Sequence, residues 1–305
     1  MSVAEPLPAE VPQPRCAVAA LERGDPMLGT ALPARRFLLV EDAGPWGPAA
    51  HPTGSLPVEA AHHVEHLAHE LGARLLLVRR PGRGASTGER SASPSPTWRP
   101  ARSGGAACPS AGALAGIDPL RGTTVLGRAA HYLVCTHGRH DTCCALEGRP
   151  LARELALRSP DNVWECSHLG GDRFAANLLV LPTTAWSTAA RPRPTWPSWL
   201  GPEAAGRVVT RLLRGRCGIA PAAQVAEAHR ARGRGTRKRV GAIEVDDVRH
   251  TGPDTWLVHG HHRDDRARSF VAELHESHRP VSTGLTCSAP GPGRLRDWTL
   301  VALEL

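Results

Sequence analysis

The chain has 305 residues, 41% hydrophobic and 22% charged, so two domains of roughly 100–150 residues each are expected. Its 31 glycines and 28 prolines call for short elements and many loops, which excludes a coiled coil or a long helical bundle. The net charge of +8 comes from scattered arginines, with Lys238 the only lysine, a pattern that disfavours a nucleic-acid face.

No run approaches the ~20 apolar residues of a membrane span, and MSVAEPLPAEVPQPR at the start lacks the basic and apolar regions of a signal peptide. A cytoplasmic protein with no membrane contact and a disordered start at 1–15 is the expectation. Residues 16–24 then read as a short helix and 35–41 (RRFLLVE in full) as an apolar strand. In 57–71, Val58, Ala61, Val64, Leu67, Ala68 and Leu71 recur at helical spacing, and 73–80 (ARLLLVRR) is a second strand. Strand, helix, strand predicts a parallel crossover unit over 16–80.

Residues 81–112 are rich in Pro, Ser, Gly and Arg without apolar period, so 81–122 is read as a linker or insertion. The same order returns over 123–200: a strand at 131–136, a helix at 144–158, and strands at 163–167 and 177–181. Residues 183–202 read as a Trp/Pro/Arg-rich loop. Over 201–305, helical stretches at 203–214 and 221–232 and the turn GRGTRKR precede a β-rich tail: VGAIEVDDV, TWLVHG, SFVAELHE, VSTGLTC and WTLVALEL. Fold class is therefore α/β, with two related units and a β-rich C-terminal extension.

Chemistry concentrates in the cysteines. Of eight, Cys135, Cys143, Cys144 and Cys166 fall between positions 135 and 166, while Cys16, Cys108, Cys217 and Cys287 are dispersed. A reducing compartment argues against a disulfide framework, which leaves metal or cluster ligation, thiol redox chemistry or inert buried thiols. CTHGRHDTCC and ECSHLGGDRFAAN each lie at the carboxyl end of a predicted strand, where an open α/β sheet leaves a crevice. No paired C-x2-C knuckle or redox C-x-x-C occurs, and adjacent Cys143 and Cys144 point in different directions. Eight residues between Cys135 and Cys144 suit an iron-sulfur cluster; zinc, redox thiols and inert cysteines stay open.

His137 and His140 read as donors to a cluster sulfur or as exposed loop residues, Gly170 and Gly171 as a tight turn, Arg173 as a salt-bridging or partner-docking residue, and Asn177 as a bond to loop backbone. His259, His261 and His262 read as a polar strand end, and His62, His66 and His69 as an exposed helix flank. No nucleotide-binding glycine motif and no convincing pair of glycosidase carboxylates is present.

CTHGRHDTCC followed by SHLGGDRFAANLLVLP resembles the sucrase/ferredoxin-like family, as do CAVAALERGDPMLGTA through RRFLLVEDAGPWG and the late LTCSAP. The resemblance implies thioredoxin-like units and a [2Fe-2S] electron-transfer protein rather than a sucrase. It maps Cys135 and Cys144 as thiolate ligands and His168 as the first imidazole, with Asp172 at the place of a second histidine. Carboxylate is uncommon on such clusters, so Cys166 is the main rival for the fourth position and Cys143 another. Mixed ligation implies a raised potential, and the Arg-rich loops an acidic redox partner protein. The alternatives are a thiol-redox or zinc-binding protein on a thioredoxin-like scaffold, or a cluster-free binding module.

Overall fold

The computed structural model describes residues 14–49, 56–82, 130–181, 186–189, 207–230, 237–239, 241–288 and 291–304. Cys108, residues 1–13 of the expected disordered start and all but the first two residues of the 81–122 linker lie outside them. The N-terminal helix α1 (Cys16–Glu22) buries Cys16, Ala17, Ala19 and Ala20. Strand β1 (Arg36–Glu41), helix α2 (Val58–Glu70) and strand β2 (Ala73–Arg79) form the predicted crossover, with β1 and β2 parallel from Arg36↔Ala73 to Glu41↔Val78. Helix α2 buries Ala61, Val64, Leu67 and Ala68, which share one face at helical spacing, and leaves His62, His66 and His69 exposed.

The second crossover runs from β3 (His131–Cys135) through α3 (Thr142–Arg158) to β4 (Val163–Cys166), again parallel. Strand β5 (Asn177–Leu181) returns antiparallel on β3. All five residues of β3 and of β5 are buried, as central strands covered on both faces require. The two crossovers share one sheet, because β2 pairs antiparallel with β4 through Val78↔Cys166 and Arg79↔Glu165.

The segment after β5 departs from expectation. The loop expected over 183–202 contains a strand, β6 (Trp186–Ala189). In place of a helix at 203–214 are β7 (Arg207–Val209), a 3-10 turn at Thr210–Leu212 and β8 (Leu213–Arg216). Val208, Val209 and Thr210 are β-branched and favour extended backbone, and pairing of β8 with β6 outweighs the short apolar period that reads as helical. The full sheet is seven-stranded, in the order β1-β2-β4-β3-β5-β6-β8. Helix α4 (Pro221–Arg230) follows as expected, while β9 (Arg237–Arg239), within the predicted turn, pairs with β7.

The β-rich tail forms an antiparallel sheet of its own, separate from the first: β10 (Ile243–Gly252), β11 (Thr255–His262), β12 (Asp265–Val281) and β13 (Gly293–Glu304), in that order. VSTGLTC is not a strand. Its Val281 closes β12, and the chain then leaves the sheet in bends that carry Cys287 back toward α1 and α3. Helix α4 packs on this sheet, where Ala222, Val225 and Ala226 share a core with Ile243, Val258, Phe270 and Leu274.

Helix α3 lies unusually close to β3. A methyl on Gly148 would sit 2.0 Å from the carbonyl oxygen of Cys135. Alanine is the better helix former by about 1 kcal/mol, yet here it must push the helix off the strand that carries Cys135. Gly148→Ala is expected to destabilise the fold by on the order of 1–3 kcal/mol in urea unfolding; an unchanged or raised midpoint would refute the close approach.

Candidate metal centre

The carboxyl ends of β3 and β4 and the first turn of α3 meet at one point. Asp141 makes the meeting possible: as N-cap of α3 its Oδ1 accepts the Cys143 N–H at 2.8 Å, satisfying a donor that the helix cannot. The turn that follows presents consecutive thiols about 100° apart around the helix axis. Cys144 faces the sheet, and Cys143 turns away toward Cys16 and Cys287.

On the sheet side, one ligand atom each from Cys135, Cys144 and His168 lie within 4.8 Å of one another, and so do atoms of His140, His168 and Asp172. The two groupings share His168 but do not merge, so the donor set is elongated. Cys144 Sγ lies 3.2 Å from Asp172 Oδ1, and His168 Nδ1 lies 3.1 Å from the same oxygen. His168 Nδ1 is nonetheless outside hydrogen-bonding geometry, a buried ring nitrogen left without a bond.

These groups shift one another's proton affinities. Hydrogen bonds from Cys144, then from His168 and the His137 backbone N–H, hold the Cys135 thiol well below its ordinary range, against burial. Cys144 is correspondingly pushed up by Cys135 and by burial. Burial works against a charged His168, but Asp172 and Cys135 outweigh it and push the ring up to about 9. Asp172 is held low, mainly by His168, despite its own burial. These groups stand together under a rim where the His168 and His140 side chains keep 17% and 30% of their exposure.

The loops around the centre are pinned from below. Buried Arg214 donates from Nη1 to Gly170 O and Asn177 Oδ1, both at 2.9 Å, and from Nε to Thr30 Oγ1 at 3.1 Å. Asn177 Nδ2 donates to Gly171 O at 2.8 Å, the backbone bond expected of it. Gly171, at φ 70°, has no room for a side chain, since a Cβ would lie 2.6 Å from Arg214 Nη2. Arg173 pairs with Asp25 at 3.5 Å. On the other side, Trp46, Gly47 and Pro48 form a roof: His137 Nε2–H donates to Gly47 O at 2.6 Å, and His140 Nδ1–H to Pro48 O at 3.1 Å.

Sequence spacing therefore brings Cys135, Cys144 and His168 together with Asp172 beside them. Cys166 is opposite Cys135 in the sheet register but belongs to neither grouping. It is fully buried among Leu76, Val78, Leu169 and Cys217, and burial holds its thiol well above the ordinary value. His140 has a larger part than its loop position suggested. Its ring stacks on His168 with centroids 3.7 Å apart, and its Nε2 is 3.8 Å from Asp172 Oδ2. Arg214 carried no signal, because only folding brings it beneath the site. His261 is paired to Asp246 at 2.8 Å on the tail sheet, and none of the tail histidines joins a metal grouping among the described residues.

Comparison with protein families matches residues 28–231, well over half of the chain, to the sucrase/ferredoxin-like family. The chain belongs to the sucrase/ferredoxin-like family. The matched segment contains every residue of the elongated donor set, while Cys16 and Cys287 fall outside it. Neither comparison with curated proteins nor comparison with solved structures returns a match. Among the described residues, no helix is long and apolar enough to cross a membrane.

Arg214→Met keeps length and removes every donor, leaving buried acceptors at Gly170, Asn177 and Thr30. The cost expected is on the order of 1–3 kcal/mol for each acceptor that water cannot reach. A fall in Tm with intact secondary structure checks this; a Tm equal to that of the parent would contradict it.

Proposed function

We propose that the elongated donor set is a [2Fe-2S] site and that the protein is an electron-transfer protein. The observation that carries the reading is the donor set itself: two buried thiols, Cys135 and Cys144, converge with the His168 imidazole, one ligand atom of each lying within 4.8 Å of the others. Soft sulfur and borderline nitrogen suit iron-sulfur ligation, and donors spread over two overlapping groupings suit an object larger than one ion. Cys135 and Cys144 would hold one side, and His168 with a fourth residue the other. When bound, the cluster supplies a one-electron redox couple.

The chain's own part is to bind, orient and shield. Asp141 and Gly148 fix Cys144 against Cys135, Arg214 and Asn177 hold the His168–Asp172 turn, and the Trp46 roof covers His137. The partly exposed edges of His140 and His168 supply the route to a docked redox partner. The strand order β4-β3-β5-β6, with α3 crossing over and α4 following, supports a thioredoxin-like scaffold for the second unit. Cys135 is 1% exposed, so a thiol-redox role, which needs an accessible thiolate, is disfavoured.

A second reading concerns the fourth ligand alone. His140 donates its Nδ1–H to the Pro48 carbonyl, which leaves Nε2 with a free lone pair directed toward the His168–Asp172 side, the orientation common to metal-binding histidines. Asp172 and His140 are thus the two contenders.

Anaerobic reconstitution with iron and sulfide, followed by iron and acid-labile sulfide determination and EPR of the reduced protein, tests the proposal. Equal iron and sulfide with a [2Fe-2S] signal is expected; colourless protein without either would reject it. Cys166→Ser should keep the cluster. Of Asp172→Ala and His140→Ala, the variant that loses or strongly shifts the signal identifies the fourth ligand.

A further inference from the structure

Cys16, Cys143 and Cys287 meet on the far side of α3. Cys143 Sγ and Cys16 Sγ each lie 3.5 Å from Cys287 Sγ, and Cys16 Sγ lies 3.6 and 3.8 Å from the two oxygens of Asp141. One ligand atom from each of the four residues lies within 4.8 Å of all the others, so this set is a single compact tetrad, unlike the elongated one. Three cysteines with 125 or more residues between Cys16 and the other two are assembled by the fold alone.

We propose that Cys16, Asp141, Cys143 and Cys287 form a second, structural metal site that takes a single thiophilic divalent ion of the zinc class. Zinc bonds of about 2.3 Å to sulfur and 2.0–2.2 Å to oxygen, arranged tetrahedrally, place ligand sulfurs ~3.8 Å apart and sulfur and oxygen ~3.6 Å apart. The two sulfur–sulfur distances of 3.5 Å and the sulfur–oxygen distance of 3.6 Å are close to these before any ion is added, and the remaining pairs stay within 4.8 Å. Four protein donors fill a tetrahedron, which makes the site a closed one.

The surroundings are those of a thiolate site. The Ala17 backbone N–H donates to Cys143 Sγ, and the Cys16 backbone N–H to Cys287 Sγ. Asp141 is oriented by the backbone N–H groups of Cys143 and Cys287, at 2.8 and 2.7 Å, leaving lone pairs for an ion. Ala17 and Ala175 close the apolar side. Arg23 and Arg173, which both pair with Asp25, lie within electrostatic reach of Cys16 and favour negative charge there. Half-buried Cys287 is the side from which an ion enters.

Such an ion would tie α1, the start of α3 and the segment after β12 together, one residue from Cys144. The proposal does not rest on the cluster reading, and its test is built to fail separately. The full chain, reduced and stripped with chelator, is loaded anaerobically with zinc alone or cobalt(II) alone. Cys135→Ser/Cys144→Ser should retain one zinc per chain, show the thiolate charge-transfer and tetrahedral visible bands with cobalt, and gain Tm on zinc addition. Cys16→Ser/Cys287→Ser should lose all three while still accepting iron and sulfide. Cys287→Ser, at a half-exposed position where the fold should survive, should bind zinc more weakly than the parent. Zinc binding by folded Cys287→Ser equal to that of the parent, absence of zinc from folded Cys135→Ser/Cys144→Ser, or a disulfide among the three thiols in zinc-treated protein would each overturn it.

Discussion

The carboxylate of Asp141 at the head of α3 is the constraint on which the rest of the chemistry depends. It accepts the Cys143 N–H and so starts the helix at a defined residue. It also accepts the Cys287 N–H from the far end of the chain. With that start fixed, helical geometry sends Cys144 to the sheet and Cys143 to the opposite side. Two adjacent thiols that cannot chelate one ion thereby serve two separate constellations.

Sheet packing supplies the other half. Gly148 lets α3 approach the Cys135 carbonyl, which brings the Cys144 thiol to the end of β3. Buried Arg214 then fixes the facing turn through backbone oxygens. Its guanidinium is fully enclosed, and burial lowers its pKa to about 10, still far enough above neutrality for the charge to persist. A buried charge is tolerable there because Gly170, Asn177 and Thr30 satisfy it, and losing one partner costs more than the net value of each bond. The rim histidines His140 and His168, in contrast, keep part of their side chains in solvent.

Legibility in the sequence followed range. The two crossover units, α4 and the antiparallel tail have strong local periodicity, and their elements lie within a few residues of expectation, except that VSTGLTC leaves the sheet after Val281. Strands β6, β7 and β8 do not, because three- and four-residue strands acquire their state from pairing with partners that pattern alone does not identify. In the site, Cys135, Cys144 and His168 stand in contiguous motifs at strand ends, and the resemblance singles them out as a set. Asp172 was reachable through the resemblance. The place of His140 is not legible locally, because its ring contact with His168 joins two loops. Cys16 and Cys287 appeared as unrelated dispersed thiols, since nothing local connects positions 271 residues apart.

Two separate donor groupings lie on the two sides of one helix start. Anomalous diffraction from crystals of the fully loaded protein, recorded at the iron and zinc absorption edges, tests this most directly. The prediction is an iron signal among Cys135, Cys144 and His168 and a separate zinc signal among Cys16, Cys143 and Cys287. A single shared peak, or density at neither position in protein that retains metal, would contradict it.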